Sequence, residues 1–414
     1  MFNLDSEQIA NLLLPTKGNL STTMELYNFD TPIDRTGRDT LKWGKYENRD
    51  ILPLWVADMD FTSPPQVIEA LRKEVDYGVF GYCLPPKALV ETLLERLWNQ
   101  YAWKVDPEWI IWLPGMVPGL NIASRAVGEP GEDILTTTPI YPPFLSAPKF
   151  AHRQTLRHEL TWDEEQQTWP LDTEGLQETL TDKTKLFLFC NPHNPLGRIF
   201  TRQELEEVAE FTLRNDLVLC SDEIHCELLL RQDLPHIPIA TLSPEIADRC
   251  ITLMAPSKTF NLPGFGCSFA IISNPQLRSA FKRERAGIVP DPAAMGYHAA
   301  LAAYRDSQDW HDQLIQYLQE NARIVYDRIN KMPGLSTTPV EATYLQWIDA
   351  TQLEAEDPHK FFEDHGVGLS DGRDFGKPRY VRLNFGCPRS TLLNALDRMD
   401  AAFAQVPEPV ELGV

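Results

Sequence analysis

The sequence predicts an α/β protein with a large domain, in which helices flank a mostly parallel sheet, and a smaller α+β domain built from both chain ends. Two observations predict this fold. From about residue 130 the chain alternates short apolar runs with longer amphipathic stretches, which is the pattern of repeated βαβ units. The segments before about residue 75 and after about residue 310 follow other patterns, so we expect them to pair as the second domain.

The length of the chain fits this division. With 414 residues it exceeds the size at which single cores stop growing, about 250–300 residues. We expect residues 76–310 to form the large domain, residues 28–75 together with 311–414 to form the small domain, and residues 1–27 to form an N-terminal extension.

Short apolar runs bounded by turn-forming residues are predicted as buried strands. A further candidate strand, YVRLNFG (380–386), belongs to the C-terminal part. The strands expected in the main sheet are DILTTT (133–138), KLFLFC (185–190), DLVLCS (216–221), CITLMA (250–255) and SFAIIS (268–273).

Amphipathic stretches between and around these strands are predicted as helices. Thr201 and Glu204 have the spacing of a capping box, in which each side chain bonds the other residue's backbone N–H at the start of a helix. The predicted helices cover residues 66–76, 87–101, 202–215 and 311–331.

Composition and charge exclude several classes of function. The formal net charge of −21 lacks the basic footprint that a phosphate backbone requires, so we expect no nucleic-acid partner. Seven cysteines without a CxxC pair indicate reduced core residues rather than a disulfide framework. The N-terminus has early acidic residues and only a brief apolar patch, so neither a secretory signal nor a membrane segment is predicted. We therefore expect a cytoplasmic protein.

Polar side chains follow three of the predicted strands at the point where each strand ends. Asn194 comes after the strand at 185–190, Asp222 and His225 after the next, and Ser257 and Lys258 after CITLMA. Each alone is a common turn former, a core histidine or a surface lysine. In an open α/β fold, however, the carboxyl ends of parallel strands form the ligand-binding edge of the sheet. Together these groups predict an active site at that edge.

The chemistry of this set matches the needs of pyridoxal phosphate. That cofactor needs a lysine for a Schiff base, an anion beside its pyridinium nitrogen and a donor to its phenolic oxygen. Lys258, Asp222 and Asn194 match these needs in turn. Desolvation lowers the pKa of a lysine and makes its amine a nucleophile.

A possible phosphate site lies at PGMVPGL (114–120), which is predicted as a turn that opens a helix before the first strand of the series. A helix N-terminus offers unpaired backbone amides to an anion. The hydroxyl group of Ser257 adds one more donor. The same turn also needs no ligand, since many helices begin this way.

Two other catalytic classes fit the sequence less well. Zinc ligands are present in CSDEIHC (220–226), but alternate side chains of a strand point to opposite faces and no HExxH spacing supplements them, so no metal site is predicted. A serine hydrolase is disfavoured because the GxSxG pattern is missing.

These motifs resemble the fold-type-I pyridoxal phosphate enzymes of the class I/II aminotransferase family, and within them the MalY/PatB-type cystathionine β-lyases, over about residues 28–405. The resemblance implies an aspartate aminotransferase-like fold. It rests on LPLWVADMDF (52–61), YGVFGY (77–82), CNPHNPLGR (190–198), SDEIHCEL (221–228), APSKTFNLPG (255–264) and VRLNFGCPRS (381–390).

The resemblance implies roles around the cofactor ring. Lys258 forms the Schiff base, Asp222 pairs with the pyridinium nitrogen, and Asn194 donates to the phenolic oxygen and borders the substrate. Tyr141 stacks on the ring, and His225 takes the place of a tyrosine that is common in transaminases of this fold.

Further roles concern the phosphate and the substrate. The turn at Gly115, Met116 and Val117 offers backbone amides to the phosphate. Tyr82 is implied as a catalytic residue that reaches the phosphate of the neighbouring subunit, so the resemblance also implies a homodimer with shared active sites.

Arg382 is expected to bind the substrate carboxylate, for which the fork of a guanidinium group is well suited. A salt bridge at the strand edge is the alternative reading of this residue. Gly266 stands where related transaminases carry a second phosphate-binding arginine, which leaves the anchoring of the phosphate partly unexplained.

The implied activity is α,β-elimination on cystathionine or an S-substituted cysteine, which yields a thiol, pyruvate and ammonia. The alternative is an aminotransferase, which uses the same lysine, aspartate and asparagine. A third reading is a regulatory protein that keeps the fold and the cofactor but acts by contacting another protein.

Overall fold

The computed structural model describes residues 27–404 of the chain. The predicted extension therefore lies outside the described residues except for Tyr27, whose backbone N–H donates to Oε1 of Gln313 at 3.0 Å. The strands are β1 (Leu52–Pro53), β2 (Ile110–Leu113), β3 (Asp133–Thr138), β4 (Gln154–Glu159), β5 (Thr184–Cys190), β6 (Val218–Asp222), β7 (Cys250–Met254), β8 (Ser268–Ile271), β9 (Ser336–Thr337), β10 (Leu345–Asp349), β11 (Val367–Gly368), β12 (Ser370–Asp371) and β13 (Tyr380–Asn384).

Helices surround these strands, and four short 3₁₀ turns lie between them within residues 27–404. None of the helices in this part of the chain has the length and apolar content of a membrane span. The helices are α1 (Leu41–Gly44), α2 (Pro65–Tyr77), α3 (Lys87–Tyr101), α4 (Met116–Ala126), α5 (Pro143–Phe150), α6 (Thr173–Thr179), α7 (Arg202–Arg214), α8 (Pro244–Ala247), α9 (Pro275–Arg285), α10 (Ala294–Asp306), α11 (Gln308–Ile329), α12 (Pro358–Asp364) and α13 (Arg389–Ala404).

The main sheet of the described chain has seven strands in the order β2-β8-β7-β6-β5-β3-β4. The pairs from β7 through β6, β5 and β3 to β4 are parallel, whereas β8 runs antiparallel to both β7 and β2. Helices pack on the sheet and bury its apolar side chains in two hydrophobic clusters. The predicted α/β class with a mostly parallel sheet is therefore confirmed.

The predicted strands of the sheet correspond to β3, β5, β6, β7 and β8, with small differences at their ends. The strand predicted from residue 216 begins two residues later, because Asp216 has a positive φ of 53° and belongs to the turn after α7. SFAIIS forms β8, which ends at Ile271. The C-terminal candidate forms β13, which ends at Asn384.

Two strands of the sheet have no counterpart in the prediction. The run IIWL of β2 is only four residues long, and a run this short does not distinguish a strand from a buried helix. β4 (QTLRHE) lies at the sheet edge and is mostly polar, so it shows no apolar run. The presence of β2 also corrects the predicted place of the 114–120 turn. The prediction places this turn before the first strand of the sheet, whereas in the structure it follows β2.

The predicted helices agree closely with the structure. α3 has the predicted bounds, and α7 begins with the predicted capping box of Thr201 and Glu204. α11 begins three residues before the predicted start at His311, directly after Ser307.

The N-terminal and C-terminal parts of the chain are joined by backbone pairing. β1 pairs in parallel with β11, so that Leu52 lies opposite Val367. A second sheet of the described chain has the order β12-β13-β10-β9 and is antiparallel. The division into domains at residues 75 and 310 remains a prediction.

The segment of residues 55–61 follows β1 without joining either neighbouring sheet. Side chains from both sides satisfy most of its backbone groups instead. Asn261 accepts from the backbone N–H of Met59 at 2.9 Å and donates back to its carbonyl group at 2.9 Å. Asn384, the last residue of β13, donates to the carbonyl group of Asp58 at 2.7 Å. The 55–61 segment thereby connects the loop after β7 with β13.

A buried ion pair fixes the end of the 55–61 segment. Lys42 is fully buried, and its Nζ lies 2.7 Å from Oδ2 of Asp60, which is 4% exposed. Arg35 and Trp43 donate to the other carboxylate oxygen at 2.5 and 3.0 Å. Although burial alone would raise it, Lys42 and these hydrogen bonds hold the pKa of Asp60 below its usual value.

We expect Asp60→Ala to lower the free energy of unfolding by about 3–5 kcal/mol, because Lys42 would be left buried without its closest partner. Urea unfolding followed by circular dichroism measures this change. Asp364→Asn is the matched control, since the ion pair of Asp364 with Lys360 is exposed and contributes little. Equal effects of the two substitutions would contradict the importance of the buried pair.

Candidate active site

A cavity of about 670 Å³ opens at the carboxyl ends of β5, β6 and β7. Cys190 and Asp222, the last residues of β5 and β6, line it directly. The structure brings ten of the eleven residues predicted for the site to its wall. These residues are Gly115, Met116, Val117, Tyr141, Asn194, Asp222, His225, Ser257, Lys258 and Arg382.

Tyr82 is the predicted residue that the structure does not bring to this cavity. Its side chain is fully exposed, and the neighbouring side chains of Val79, Phe80 and Leu84 are largely exposed. The implied role of Tyr82 concerns a neighbouring subunit, so this position within one chain leaves that role a prediction.

Lys258 lies in the loop that follows β7, and its Nζ donates to the carbonyl oxygen of Ala57 at 2.6 Å. Burial, together with the positive charge of Arg382, lowers the pKa of Lys258 to about 8, although Asp58 and Asp222 act in the opposite direction. About one tenth of this amine is therefore unprotonated at pH 7, far more than for a lysine with the ordinary pKa of about 10.4. Such an amine can act as a nucleophile or as a base.

Asp222 ends β6 and is buried, and its Oδ1 accepts from the backbone N–H of Ile224 at 3.1 Å. Burial raises the pKa of Asp222 to about 7, despite the opposing hydrogen bond and the charge of Lys258. The carboxyl group consequently favours a ligand that offers a positively charged N–H, because such a ligand restores the ionised form.

Arg382 on β13 holds Asn194 in place. Its Nη1 donates to Oδ1 of Asn194 at 2.9 Å, and its Nη2 donates to the carbonyl group of Trp55 at 2.8 Å. The guanidinium group lies 4.7 Å from the ring centre of Phe375. Burial lowers the pKa of Arg382 to about 10, which still leaves it charged at neutral pH. Among residues 27–404 it forms no ion pair with a carboxylate, so the alternative of a strand-edge salt bridge is not observed.

His225 and Tyr141 are uncharged at neutral pH. Burial lowers the pKa of His225 far below its usual value, and its Nδ1 has no hydrogen-bond partner within the described chain. Burial raises the pKa of Tyr141, whose backbone N–H donates to the carbonyl group of Asn194 at 3.1 Å. Both rings therefore offer neutral polar groups to a ligand.

The start of α4 lies in the wall of the cavity. Gly115 precedes the helix, and no side chain caps it, so the first backbone amides remain for a ligand. Gly266 lies beside this turn with a φ of 55°, and a Cβ at this position would come within 2.7 Å of the carbonyl oxygen of Pro114. This contact explains why position 266 is glycine and not arginine.

The residues of the cavity fit pyridoxal phosphate. Lys258 has an amine of lowered pKa, Asp222 is a buried carboxyl group that favours a cationic donor, and an uncapped helix start lies on the same wall. Nδ1 of His225 is a buried polar atom in need of a partner. Because Oδ1 of Asn194 accepts from Arg382, its amide hydrogens are the groups that it has left to donate.

Several residues in the cavity wall or beside it escaped the prediction. The hydroxyl group of Tyr344 lies behind the wall and donates at 3.0 Å to the same Ala57 carbonyl oxygen that accepts from Lys258. Lys45, Trp55 and His359 line the cavity. The motif LPLWVADMDF contains Trp55 and Ala57 and was the one signal in the sequence for this part of the site. It does not reveal which backbone group faces Lys258.

Comparisons with known proteins bear directly on this site. The profile of the family described as aminotransferase class I and II matches residues 49–399. The chain is 35% identical over 390 residues to cystathionine beta-lyase PatB of Bacillus subtilis (strain 168), which covers 91% of this chain and 100% of PatB.

Two solved structures are similar over most of the chain. OvoB has 49% sequence identity and a TM-score of 0.89, covering 92% of this chain and 100% of OvoB. Cystalysin from Treponema denticola, whose structure contains pyridoxal 5'-phosphate, has 33% identity and a TM-score of 0.87 with 92% and 100% coverage. The predicted resemblance to MalY/PatB-type enzymes is confirmed. The chain belongs to the aminotransferase class I and II family.

Proposed function

We propose that the protein is a pyridoxal phosphate-dependent carbon-sulfur β-lyase that acts on cystathionine or an S-substituted cysteine. The convergence of Lys258, Asp222, Asn194 and Arg382 on one cavity carries this proposal. The similarity to PatB, which is named a cystathionine beta-lyase, and to cystalysin, which holds the cofactor, supports it.

The residues around the cavity divide the binding of the cofactor among them. Lys258 would hold the cofactor through its aldehyde group, and Asp222 would pair with its pyridinium nitrogen. Asn194 would donate to its phenolic oxygen, while Tyr141 would face its ring. The amides of Gly115 to Val117 and the hydroxyl group of Ser257 would hold its phosphate.

The same residues carry out the reaction. When bound, pyridoxal phosphate supplies an electron sink that stabilises negative charge on the substrate α-carbon. Arg382 would bind the α-carboxylate of the substrate. The amino group of the substrate would displace Lys258 from the cofactor, and the freed amine of Lys258 would then remove the α-proton. The bond between Cβ and sulfur then breaks, and sulfur leaves as a thiolate. Water hydrolyses the remaining unsaturated amine to pyruvate and ammonia.

An aminotransferase would use the same lysine, aspartate and asparagine, but it would return a proton to the cofactor and require a keto acid as second substrate. The 35% identity to a cystathionine beta-lyase over its full length favours elimination. The alternative is decided by the assay below.

We further propose that the protein is a homodimer in which Tyr82 completes the active site of the neighbouring subunit. Val79, Phe80 and Leu84 lie close to Tyr82 along the chain and have exposed apolar side chains. A cluster of exposed apolar residues of this kind often marks a protein–protein contact. A second copy of the chain would cover these apolar side chains. The Tyr82 side chain of each subunit would then reach the cavity of the other subunit.

A cytoplasmic location is proposed from the state of the cysteines. All seven are free thiols, and all but Cys83 are buried. Free buried thiols are typical of proteins in reducing compartments.

Purified protein loaded with pyridoxal phosphate should release pyruvate and a thiol from cystathionine without any keto acid. Lys258→Ala should lower this rate by at least about 10²–10⁴-fold, because the base that removes the α-proton is lost. Pyruvate is measured with lactate dehydrogenase and thiol with a disulfide reagent. A strict requirement for a keto acid would contradict the lyase and would identify an aminotransferase.

Asp222→Asn should change how stability depends on pH in the cofactor-free protein. The folded-state pKa of about 7 exceeds the ordinary value of 3.8, so the native state holds a proton that the unfolded state loses. The contribution of Asp222 to stability is therefore present at low pH and is lost as the pH rises from about 4 to about 7.

Thermal unfolding of both proteins at about pH 5 and about pH 8 tests this expectation. The wild-type Tm should fall more steeply with pH than that of Asp222→Asn. Added pyridoxal phosphate should raise the wild-type Tm more than that of the variant. If Tm changes by the same amount between the two pH values in both proteins, Asp222 is not the titrating group.

Mixing two inactive variants tests the shared site. Tyr82→Phe and Lys258→Ala should each be impaired alone, but a mixed dimer has one site with both native residues. Random reassociation should therefore restore about one quarter of the sites, since half of the dimers are mixed. Subunits are exchanged in mild denaturant, and pyruvate release is measured after its removal. Absence of recovery in dimers shown to be mixed would contradict the role of Tyr82.

A further inference from the structure

The carbonyl oxygen of Ala57 is shared by two donors, of which only one has been given a role. Nζ of Lys258 donates to it at 2.6 Å, and the hydroxyl group of Tyr344 donates to it at 3.0 Å. Tyr344 directly precedes β10 and is only 1% exposed, so water does not compete for its hydroxyl group. None of the roles proposed above uses Tyr344.

The hydroxyl group of Tyr344 is a permanent donor to this oxygen. Burial, together with the negative charge of Asp58, raises the pKa of Tyr344 above its usual value, so the hydroxyl group keeps its proton. A carbonyl oxygen can only accept, which fixes the direction of the hydrogen bond. The ring of Tyr344 packs edge-on against His225, with the two ring centres 6.4 Å apart. A phenylalanine ring at the same place would keep this packing and lose only the donor.

The orientation of the Ala57 carbonyl group does not depend on Tyr344. The carbonyl groups of both neighbouring residues are bound by Asn384, which donates to Val56 at 2.6 Å and to Asp58 at 2.7 Å. The backbone on both sides of Ala57 is therefore held by another side chain. The effect of the Tyr344 hydroxyl group is consequently electrostatic, and it falls on the other donor at the same oxygen.

A second donor at a carbonyl oxygen changes the balance between the two forms of a lysine amine. A charged ammonium group forms a stronger hydrogen bond to a carbonyl oxygen than a neutral amine does. The positively polarised hydrogen of the Tyr344 hydroxyl group lies beside the same oxygen and repels the ammonium charge. The hydroxyl group therefore disfavours the ammonium form of Lys258 and favours the neutral amine.

We propose that Tyr344 is a positioning residue that weakens the hold of the Ala57 carbonyl oxygen on the Lys258 ammonium group and so keeps the amine available as a nucleophile and a base. The use of this amine in catalysis rests on the proposed function. Tyr344 acts through the one oxygen atom that both side chains contact.

Several other groups act on the charge of Lys258 from the elements packed around it. They act directly through space, whereas Tyr344 acts at the hydrogen-bond acceptor of the lysine itself. These groups are Asp58 beside Ala57, Asp222 at the end of β6, His225 after it, and Arg382 on β13.

Competitive labelling of the cofactor-free protein measures the effect at Lys258 alone. Trace acetic anhydride is added at a series of pH values, and mass spectrometry follows acetylation of the peptide that contains Lys258. Tyr344→Phe should raise the apparent pKa of Lys258 by about half a pH unit, which lowers the neutral fraction at neutral pH about threefold. Replacement of Tyr344 by 3-fluorotyrosine, whose hydroxyl group is a stronger donor, should lower the apparent pKa instead.

Tyr46→Phe is the matched control. Tyr46 is also buried, and its hydroxyl group donates at 3.0 Å to Glu363, but neither residue lines the cavity. This variant should leave the apparent pKa of Lys258 at its wild-type value. If Tyr344→Phe leaves the apparent pKa of Lys258 unchanged or lowers it, the inference is wrong.

The pH profile of pyruvate release separates this inference from the proposed function. In the loaded enzyme, the acidic limb of kcat should move to higher pH in Tyr344→Phe and stay in place in Tyr46→Phe. A shift in labelling without a shift of this limb would overturn the role of Tyr344 in catalysis. Labelling needs no turnover, so a wild-type protein that releases no pyruvate would overturn the lyase, while the labelling result would still decide whether Tyr344 acts on Lys258.

Discussion

The carbonyl oxygen of Ala57 is the point on which the arrangement of the site depends. It accepts hydrogen bonds from Lys258 and from Tyr344, at 2.6 and 3.0 Å. Its segment, residues 55–61, has no neighbouring strand, so its backbone groups are paired by side chains from the loop after β7 and from β13. Each of those side chains belongs to an element that also carries a site residue. A shift of the segment would therefore move Lys258 and Arg382 together.

The charged side chains that line the cavity are placed to interact with a ligand and not to form ion pairs with one another. Burial lowers the pKa of Lys258 to about 8 and raises that of Asp222 to about 7, so both groups are close to losing their charge. Arg382 keeps its charge but has no carboxylate partner within residues 27–404. A protonated ring nitrogen would complement Asp222, a carboxylate would complement Arg382, and an aldehyde would react with the amine of Lys258. The energetic cost of these buried groups is thus offset by binding.

Much of this site could be predicted from the sequence, because strand ends are recognisable from local patterns. Asp222 and Lys258 directly follow apolar runs, and parallel strands bring such positions to one edge. Other lining residues of the cavity could not be predicted in this way, since Lys45, His359 and Asp374 come from different segments of the chain and share no pattern. β4 could not be predicted either. Its residues are mostly polar, and it joins the sheet through backbone pairing with β3. The need for glycine at position 266 is visible only in the structure, where the carbonyl oxygen of Pro114 leaves no room for a Cβ.

The pairing of β1 with β11 also bears on how the protein is made. Trp55 on the 55–61 segment accepts from Ser370, which is 315 residues further along the chain. Contacts between such distant positions form late and slowly in folding. A chain emerging from the ribosome can build the parallel sheet while these partners are still unsynthesised. The strand that carries Asp222 and the strand that precedes Lys258 can thus pair before β13, which carries Arg382, is synthesised.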